Sequence, residues 1–442
     1  MTGVQTCALP ILAPVDPVEP GPGSGGRLGL RSWSDRAVVG LGLMALASGF
    51  GQFGAVSALG AVASHFGRVV HGTTIADQAG LSGTELGVGL AVLHLASMGG
   101  LPLSGLADRF GRRVVLLGTC ALGLTFTVLA AGSPGYWWFV VIFALGRPLL
   151  SATNAVAAVG AAEETATSDR AKAVALVAAG YGVGSGLTAV IFGVSQSTLG
   201  FRGLFLLAVV PLASIFAVRR WLVEPTRFAV AAAAPEHPRP VLGAVAPRYR
   251  RRLLVVASLA FSVAVVTGPA NSFVFVYAEN VQHMSGDQRA LMVIVAAIFG
   301  LAGLLTGQAL ADRVGRRPTC AVAMVAMIVT GVVSYSGSRA ALLVGYELGV
   351  LSASTFAPAA GALANELFPT AVRASVAGWN VAASVAGAVV GLVVFGAVAD
   401  VGNRFGVGAA ATFLPVIFCV ALFLLLPETR GRELEELWPE PS

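Results

Sequence analysis

The sequence predicts an all-α polytopic membrane protein: twelve transmembrane helices arranged as two pseudo-symmetric six-helix bundles. Three observations carry this. Only 11% of the 442 residues are charged and 56% are hydrophobic, with a mean hydropathy of +0.81, whereas a soluble domain carries about 25% charge. Twelve apolar runs are each long enough to cross a hydrocarbon core of about 30 Å, which takes about 20 residues. Finally, ADRFGRR at 107–113 returns as ADRVGRR at 311–317, with Asp108 and Asp312 204 residues apart.

Along the chain, the first eleven residues (MTGVQTCALPI) match the translation of a common sequencing adapter read from a GTG start. No basic residue precedes Arg27, so no signal-peptide n-region is present. Residues 1–11 therefore read as non-native, and 12–36, rich in Pro and Gly at its start, as a disordered N-terminal segment. Apolar runs follow near 37–64, 84–107, 114–132, 137–161, 173–195 and 201–222, which form an N-terminal bundle over 37–222. A polar central loop spans 223–251, with EPTRF, PEHPRP and RYRRR. Six more runs, near 252–277, 290–311, 318–337, 340–364, 374–400 and 404–426, form the C-terminal bundle over 252–426, and a tail occupies 427–442.

Basic residues orient the bundle. With a cytoplasmic N-terminus, 22 of the 28 Lys and Arg fall in cytoplasmic segments, five in outer loops, and Arg147 inside a span. The positive-inside rule then places both termini in the cytoplasm of a cell whose inner membrane the chain crosses many times. The same placement accounts for the net charge of +6 without nucleic acid. Three of four cysteines sit in apolar runs, so no disulfide framework is expected. The five histidines lack metal-ligand spacing, and His94, alone in an apolar run, reads as packed core. No phosphate-binding loop or catalytic constellation is present, so neither an enzyme, a metal nor a cofactor is expected.

Two further echoes support a duplication. Glu163 to Arg170 after span 4 repeats as Glu366 to Arg373 after span 10, and VEPTR at 223–227 repeats as PETR at 427–430. Two halves in the same orientation imply a parallel repeat about the membrane normal.

With these motifs in view, residues 31–437 resemble the major facilitator superfamily, in its sugar-porter-like branch. ADRFGRR and ADRVGRR are similar to its cytoplasmic-loop signature, ELFPTAVR (366–373) to its E-x-x-P-x-x-x-R element, and PETRGRELEEL (427–437) to its C-terminal signature. The resemblance implies a monomeric secondary transporter that moves a small molecule by alternating access, by proton symport or facilitated uptake. Proton-linked drug or metabolite efflux is the alternative, although the glycine-rich span 5 (GYGVGSG, 180–186) lacks that group's Gly-Pro pair. The chain also departs from the branch. Ser104 and Gln308 stand where the signature carries Gly, Gly361 stands where the sugar porters carry Trp, and their span 7 motifs are absent.

The resemblance implies that Asp108, Arg109, Gly111, Arg112 and Arg113, with Asp312, Arg313, Gly315, Arg316 and Arg317, form a cytoplasmic gate. In such a gate the arginines pair with Glu163, Glu366 or Glu428, and Arg170, Arg373 and Arg430 complete the set. Asp108 is placed to cap the start of span 3. Charges inside a membrane are costly and mark functional positions. Arg147 in span 4 and Glu347 in span 10 lie at similar depth in the outer half. By resemblance, spans 1, 4, 7 and 10 line the cavity, so the two are expected to pair across it. Gln52, Ser151, Asn154, Asn271 and Tyr346 complete the expected lining. Span 1 holds no acid, which leaves Glu347 as the deeply placed carboxylate for proton coupling.

Overall fold

Lipid offers no hydrogen bonds, so apolar runs satisfy their backbone internally as helices. The computed structural model describes residues 31–166, 169–222, 245–432 and 437–438, except the side chains of Asp108, Thr370, Ala371 and Ala374. The adapter-like residues 1–11, the remainder of the N-terminal segment to residue 30, and residues 223–244 of the central loop lie outside the described residues.

In the first half the helices are α1 (Arg36–Ser57), α2 (Leu59–Phe66), α3 (Ile75–Ala79), α4 (Gly83–Ser97), α5 (Gly100–Gly105), α6 (Ala107–Phe110), α7 (Arg112–Ala130), α8 (Tyr136–Glu164), α9 (Arg170–Leu206) and α10 (Val209–Val218). In the second they are α11 (Pro247–Val276), followed by a π turn at Tyr277–Val281, then α12 (Gly286–Arg313), α13 (Arg316–Ser334), α14 (Arg339–Glu366), α15 (Thr370–Gly402) and α16 (Phe405–Phe413). Tight 3₁₀ turns over Leu414–Leu425 finish the last pass.

Among the described residues, eleven segments are long and apolar enough to cross a membrane. The twelfth pass is hidden in α9, whose 37 residues would extend about 55 Å at 1.5 Å per residue. Gly200 breaks it with φ 58° and ψ −175°, a region essentially reserved for glycine. Beyond the break, Phe205 packs on Gly54 near the end of α1, and Val218 and Leu222 pack on Gly40 near its start. The chain therefore runs back along α1 in two shorter pieces.

Each half is drawn together by glycine. A Cβ on Gly184 would lie 2.0 Å from the Leu46 carbonyl oxygen, and one on Gly387 would lie 2.1 Å from that of Phe261. The first seals α9 on α1 and the second α15 on α11; only the absence of a side chain permits backbones this close. Gly184 and Gly387 are 203 residues apart, the same offset as Glu163 and Glu366. The second half also carries a ring stack, with Phe273 and Phe395 centroids 4.7 Å apart and Tyr335 against Phe395 at 5.2 Å. Such pairs contribute about 0.5–1.5 kcal/mol each beyond area burial.

The bundle has two distinct ends. One carries both ADRxGRR loops and is the motif end. At the other, the far end, α4 and α12 begin and α1 and α11 finish. The halves press together at the far end: a Cβ on Gly396 of α15 would lie 2.1 Å from the Gly83 oxygen of α4, and one on Gly286 of α12 would lie 1.9 Å from the Gly193 oxygen of α9. Phe53 and Phe275 meet edge to face there, at 5.8 Å.

Candidate functional site

Arg147 lies eleven residues into α8, about 16 Å from its start. Its Nε donates to the Ser97 hydroxyl at 3.1 Å and its Nη1 to the Gln52 carbonyl at 2.6 Å, which ties α8 to both α4 and α1. Gln52 is buried; its amide donates to Ser48 at 2.9 Å, and the Ser151 hydroxyl reaches its Oε1 at 3.4 Å. Asn154 follows Arg147 by two turns on one face, and its buried Oδ1 has no partner. His94, one turn before Ser97, stands within electrostatic reach of the guanidinium. Arg147, Gln52, Ser151, Ser97 and Ser48 thus form one hydrogen-bonded group, with Asn154 two turns along the same face of α8. An isolated charge at such depth costs about 2.5–3.5 kcal/mol on insertion scales, which its neutral hydrogen bonds offset only in part.

The second half has a polar pocket of its own. Asn271 and Thr267 of α11, with Tyr346, Gly349 and Ser334, line a small pocket of about 30 Å³. Glu347 is not part of that lining. It is 8% exposed, its Oε2 has no partner, and it shares a helix face with Leu351 and Ser354, which Gly303 of α12 approaches. No ion pair joins Arg147 to Glu347 among the described residues. The expected pair is not formed in this conformation: Arg147 donates to Gln52 and Ser97, and Glu347 lies on the face of α14 that meets α12.

At the motif end the two repeats explain their glycines. Gly111 and Gly315 hold φ of 93° and 128° immediately before α7 and α13. Arg112 pairs with Glu163, with Nη2 to Oε1 at 2.8 Å. Arg316 pairs with Glu366 at 3.3 Å and Asp312 at 3.2 Å. Arg113 reaches the Arg219 carbonyl at 3.0 Å, Arg170 that of Ala162 at 3.0 Å, and Arg373 that of Phe368 at 3.3 Å. Arg109 lies over the Phe110 ring, Arg317 reaches the Leu426 carbonyl, and Arg313 and Arg430 are exposed. Each of these contacts stays within one half.

A helix cap at the motif end is visible in the second copy. The Asp108 side chain lies outside the described residues. At α13, Glu428 accepts the first helical N–H groups, those of Arg316 and Arg317, at 3.0 Å each. Burial alone would raise its carboxyl, but four backbone N–H donors, from Arg430, Arg316, Arg317 and Thr429, outweigh this and hold it below the usual carboxylate range.

Sequence reasoning missed a cluster at the far end. Arg289, 4% exposed, donates to Glu279 and to the Gln196 side-chain oxygen, while Gln196 donates to Glu279 at 2.5 Å. Asn280 donates to Ser64 at 2.8 Å. Asp400 accepts from the Gly83 N–H at 2.6 Å. Among the described residues, all hydrogen bonds that join the two halves lie at this end. The available signal was Glu279 directly after an apolar run, with Arg289 ten residues on.

Two halves of six passes, sealed by matched glycines and meeting at one end, with Arg147 set deep inside the first, call for comparison with known proteins. The model of the Major Facilitator Superfamily matches residues 41–336 and 283–440. The chain belongs to this superfamily. Among its relatives is a protein of Cupriavidus pinatubonensis named "Probable 4-methylmuconolactone transporter", 29% identical over 81% of this chain and 85% of that protein. A metabolite transport protein of Haemophilus influenzae is 26% identical over 77% and 86%. The solved inward open conformation of the xylose transporter XylE from E. coli superposes with a TM-score of 0.67 at 18% identity, over 91% of this chain and 99% of that one. As a major facilitator, the chain is a multi-pass membrane transporter of small solutes.

Proposed function

We propose that this major facilitator is a secondary transporter of the cytoplasmic membrane, carrying a small organic solute by alternating access as a proton-coupled symporter or a facilitator. One observation carries the reading: the hydrogen bonds that join the halves gather at the far end, while the arginine–carboxylate pairs of the motif end stay within each half. Halves whose hydrogen bonds to one another gather, among the described residues, at one end can rock about the site between them. With the basic residues facing the cytoplasm, the motif end faces inward, and the ADRxGRR arginines would exchange their contacts within each half for contacts between the halves in the opposite conformation.

Coupling falls to Glu347. Glu279 is already engaged by Arg289 and Gln196, whereas Glu347 is buried with an unpartnered oxygen. The relative named for 4-methylmuconolactone supports an organic metabolite as cargo.

The test is uptake by the full chain in proteoliposomes of labelled D-xylose, succinate, benzoate and 4-hydroxybenzoate, with and without an inward proton gradient. Saturable uptake of at least one compound is expected, with accumulation driven by the gradient and lost in Glu347→Gln. If nothing enters beyond protein-free liposomes, the transporter reading fails. If wild type and Glu347→Gln accumulate equally, the coupling role fails.

A further inference from the structure

We infer that the solute is an organic anion whose carboxylate seats on Arg147. This rests on the transporter reading above and names its substrate class.

The inference starts from a charge without a counter-charge. Arg147 has two acceptors among the described residues, a backbone carbonyl and a serine hydroxyl, both neutral. Its Nη2 has none, and the residue is partly exposed although it sits mid-helix in an apolar span. No acid occurs in α1, α7 or α9. Glu85 on α4 is twelve residues from Ser97, about 18 Å along the helix, and Glu163 on α8 is sixteen residues from Arg147, about 24 Å. In the second half, the pocket residues Thr267, Asn271 and Tyr346 are neutral, and Glu347 shares the face of α14 that packs on α12.

A guanidinium presents five N–H donors in a planar fork that matches a carboxylate. Two directions here are fixed by Gln52 and Ser97, so the ring of donors is held in place while one edge stays open. That is how a binding cation is held, with its orientation preset by neutral groups and its charge left for the ligand. A structural arginine would be neutralised inside the bundle, as Arg289 is by Glu279. Two turns along the same face, Asn154 offers a buried, unpartnered Oδ1, an acceptor for a hydroxyl on the ligand. The site therefore suits a small carboxylic acid bearing a hydroxyl donor better than an uncharged sugar.

The experiment pairs acids with their uncharged amides. Proteoliposomes holding the full chain are tested for uptake of labelled benzoate, 4-hydroxybenzoate and succinate, each challenged by unlabelled acid, by the matching amide and by D-xylose. The expected result is uptake of at least one acid, displaced by the acid and at least tenfold less well by its amide or by D-xylose. Arg147→Gln should abolish this uptake, and Arg147→Lys should retain part of it with weaker apparent affinity. Uptake of D-xylose or of an amide as good as that of the acids would overturn the anion site while leaving the transporter reading intact. Acid uptake unaltered in Arg147→Gln would equally overturn it. Absence of all uptake by wild type would remove both, with the transporter reading at fault. The acid–amide comparison in wild type needs no variant, so a misfolded Arg147→Gln protein does not shelter the proposal.

Discussion

Asp400 in the last turns of α15 accepts the Thr84 backbone N–H at 2.8 Å and the Thr84 hydroxyl at 2.6 Å, so the second half caps a helix that belongs to the first. The contact exists only while the far end is closed. An N-terminal cap contributes about 0.5–2 kcal/mol, and that amount biases the closed far end rather than the fold. Asp400→Ala should therefore raise labelling of Phe53→Cys, half-buried against Phe275, by an impermeant maleimide roughly 2- to 30-fold. Unchanged labelling would mean that the cap does not hold the halves.

Arg289 is neutralised by Glu279 from its own half and held by Gln196 from the other. Removing one partner of a buried pair costs about 3–5 kcal/mol because a charge is left uncompensated. Glu279→Gln should lower thermal stability markedly, and adding Arg289→Gln should restore part of the loss. A double variant no more stable than Glu279→Gln alone would contradict a buried ion pair here.

Gly315 and Gly105 predict opposite signs. Gly315 sits at φ 128°, and a Cβ there would also lie 2.8 Å from Glu428 Oε2. Gly315→Ala should destabilise by about 1–3 kcal/mol. Gly105 is helical with nothing near its Cβ position, so Gly105→Ala should be neutral or stabilise by about 0.5–1 kcal/mol. Thermal unfolding of the two variants in detergent decides.

Glu428 gives a pH dependence. Its folded-state pKa lies below the ordinary glutamate value, so its contribution is present above that ordinary value and is lost as pH falls through the depressed pKa. At pH 7, Glu428→Gln should unfold at lower temperature than wild type. The gap should narrow as pH drops below about 4.5. A gap that stays constant to pH 3 would show that the carboxylate charge is not what caps α13.

Much of the architecture was legible in the sequence because lipid imposes a simple rule: about 20 apolar residues make one pass. ADRxGRR, with its charge and obligate glycine, marked the same corner of each half. The sixth pass was harder, because the turn rests on one backbone conformation at Gly200 inside a single apolar run. Arg147, Gln52, Ser151 and Asn154 could be grouped by spacing along α8 and by depth. Glu347 could not be oriented that way, since depth leaves open which face of α14 meets α12. The far-end cluster was invisible for a different reason. Gln196, Glu279 and Arg289 come from separate passes, and Arg289 reads as one more loop charge until the halves are docked.

The most direct test of rocking about a central site measures both ends at once. Phe110 and Val314 occupy the same position in the two ADRxGRR copies and are 60% and 55% exposed; Val69 and Val401 mark the far end of each half at 52% and 88%. Spin labels on Phe110→Cys with Val314→Cys, and separately on Val69→Cys with Val401→Cys, in a background without the native cysteines, report the two openings by pulsed electron spin resonance in lipid nanodiscs. Alternating access predicts anticorrelated distributions: any condition that shortens the motif-end distance lengthens the far-end distance. Distances that shift in the same direction, or a far-end distance that never changes while transport proceeds, would contradict it.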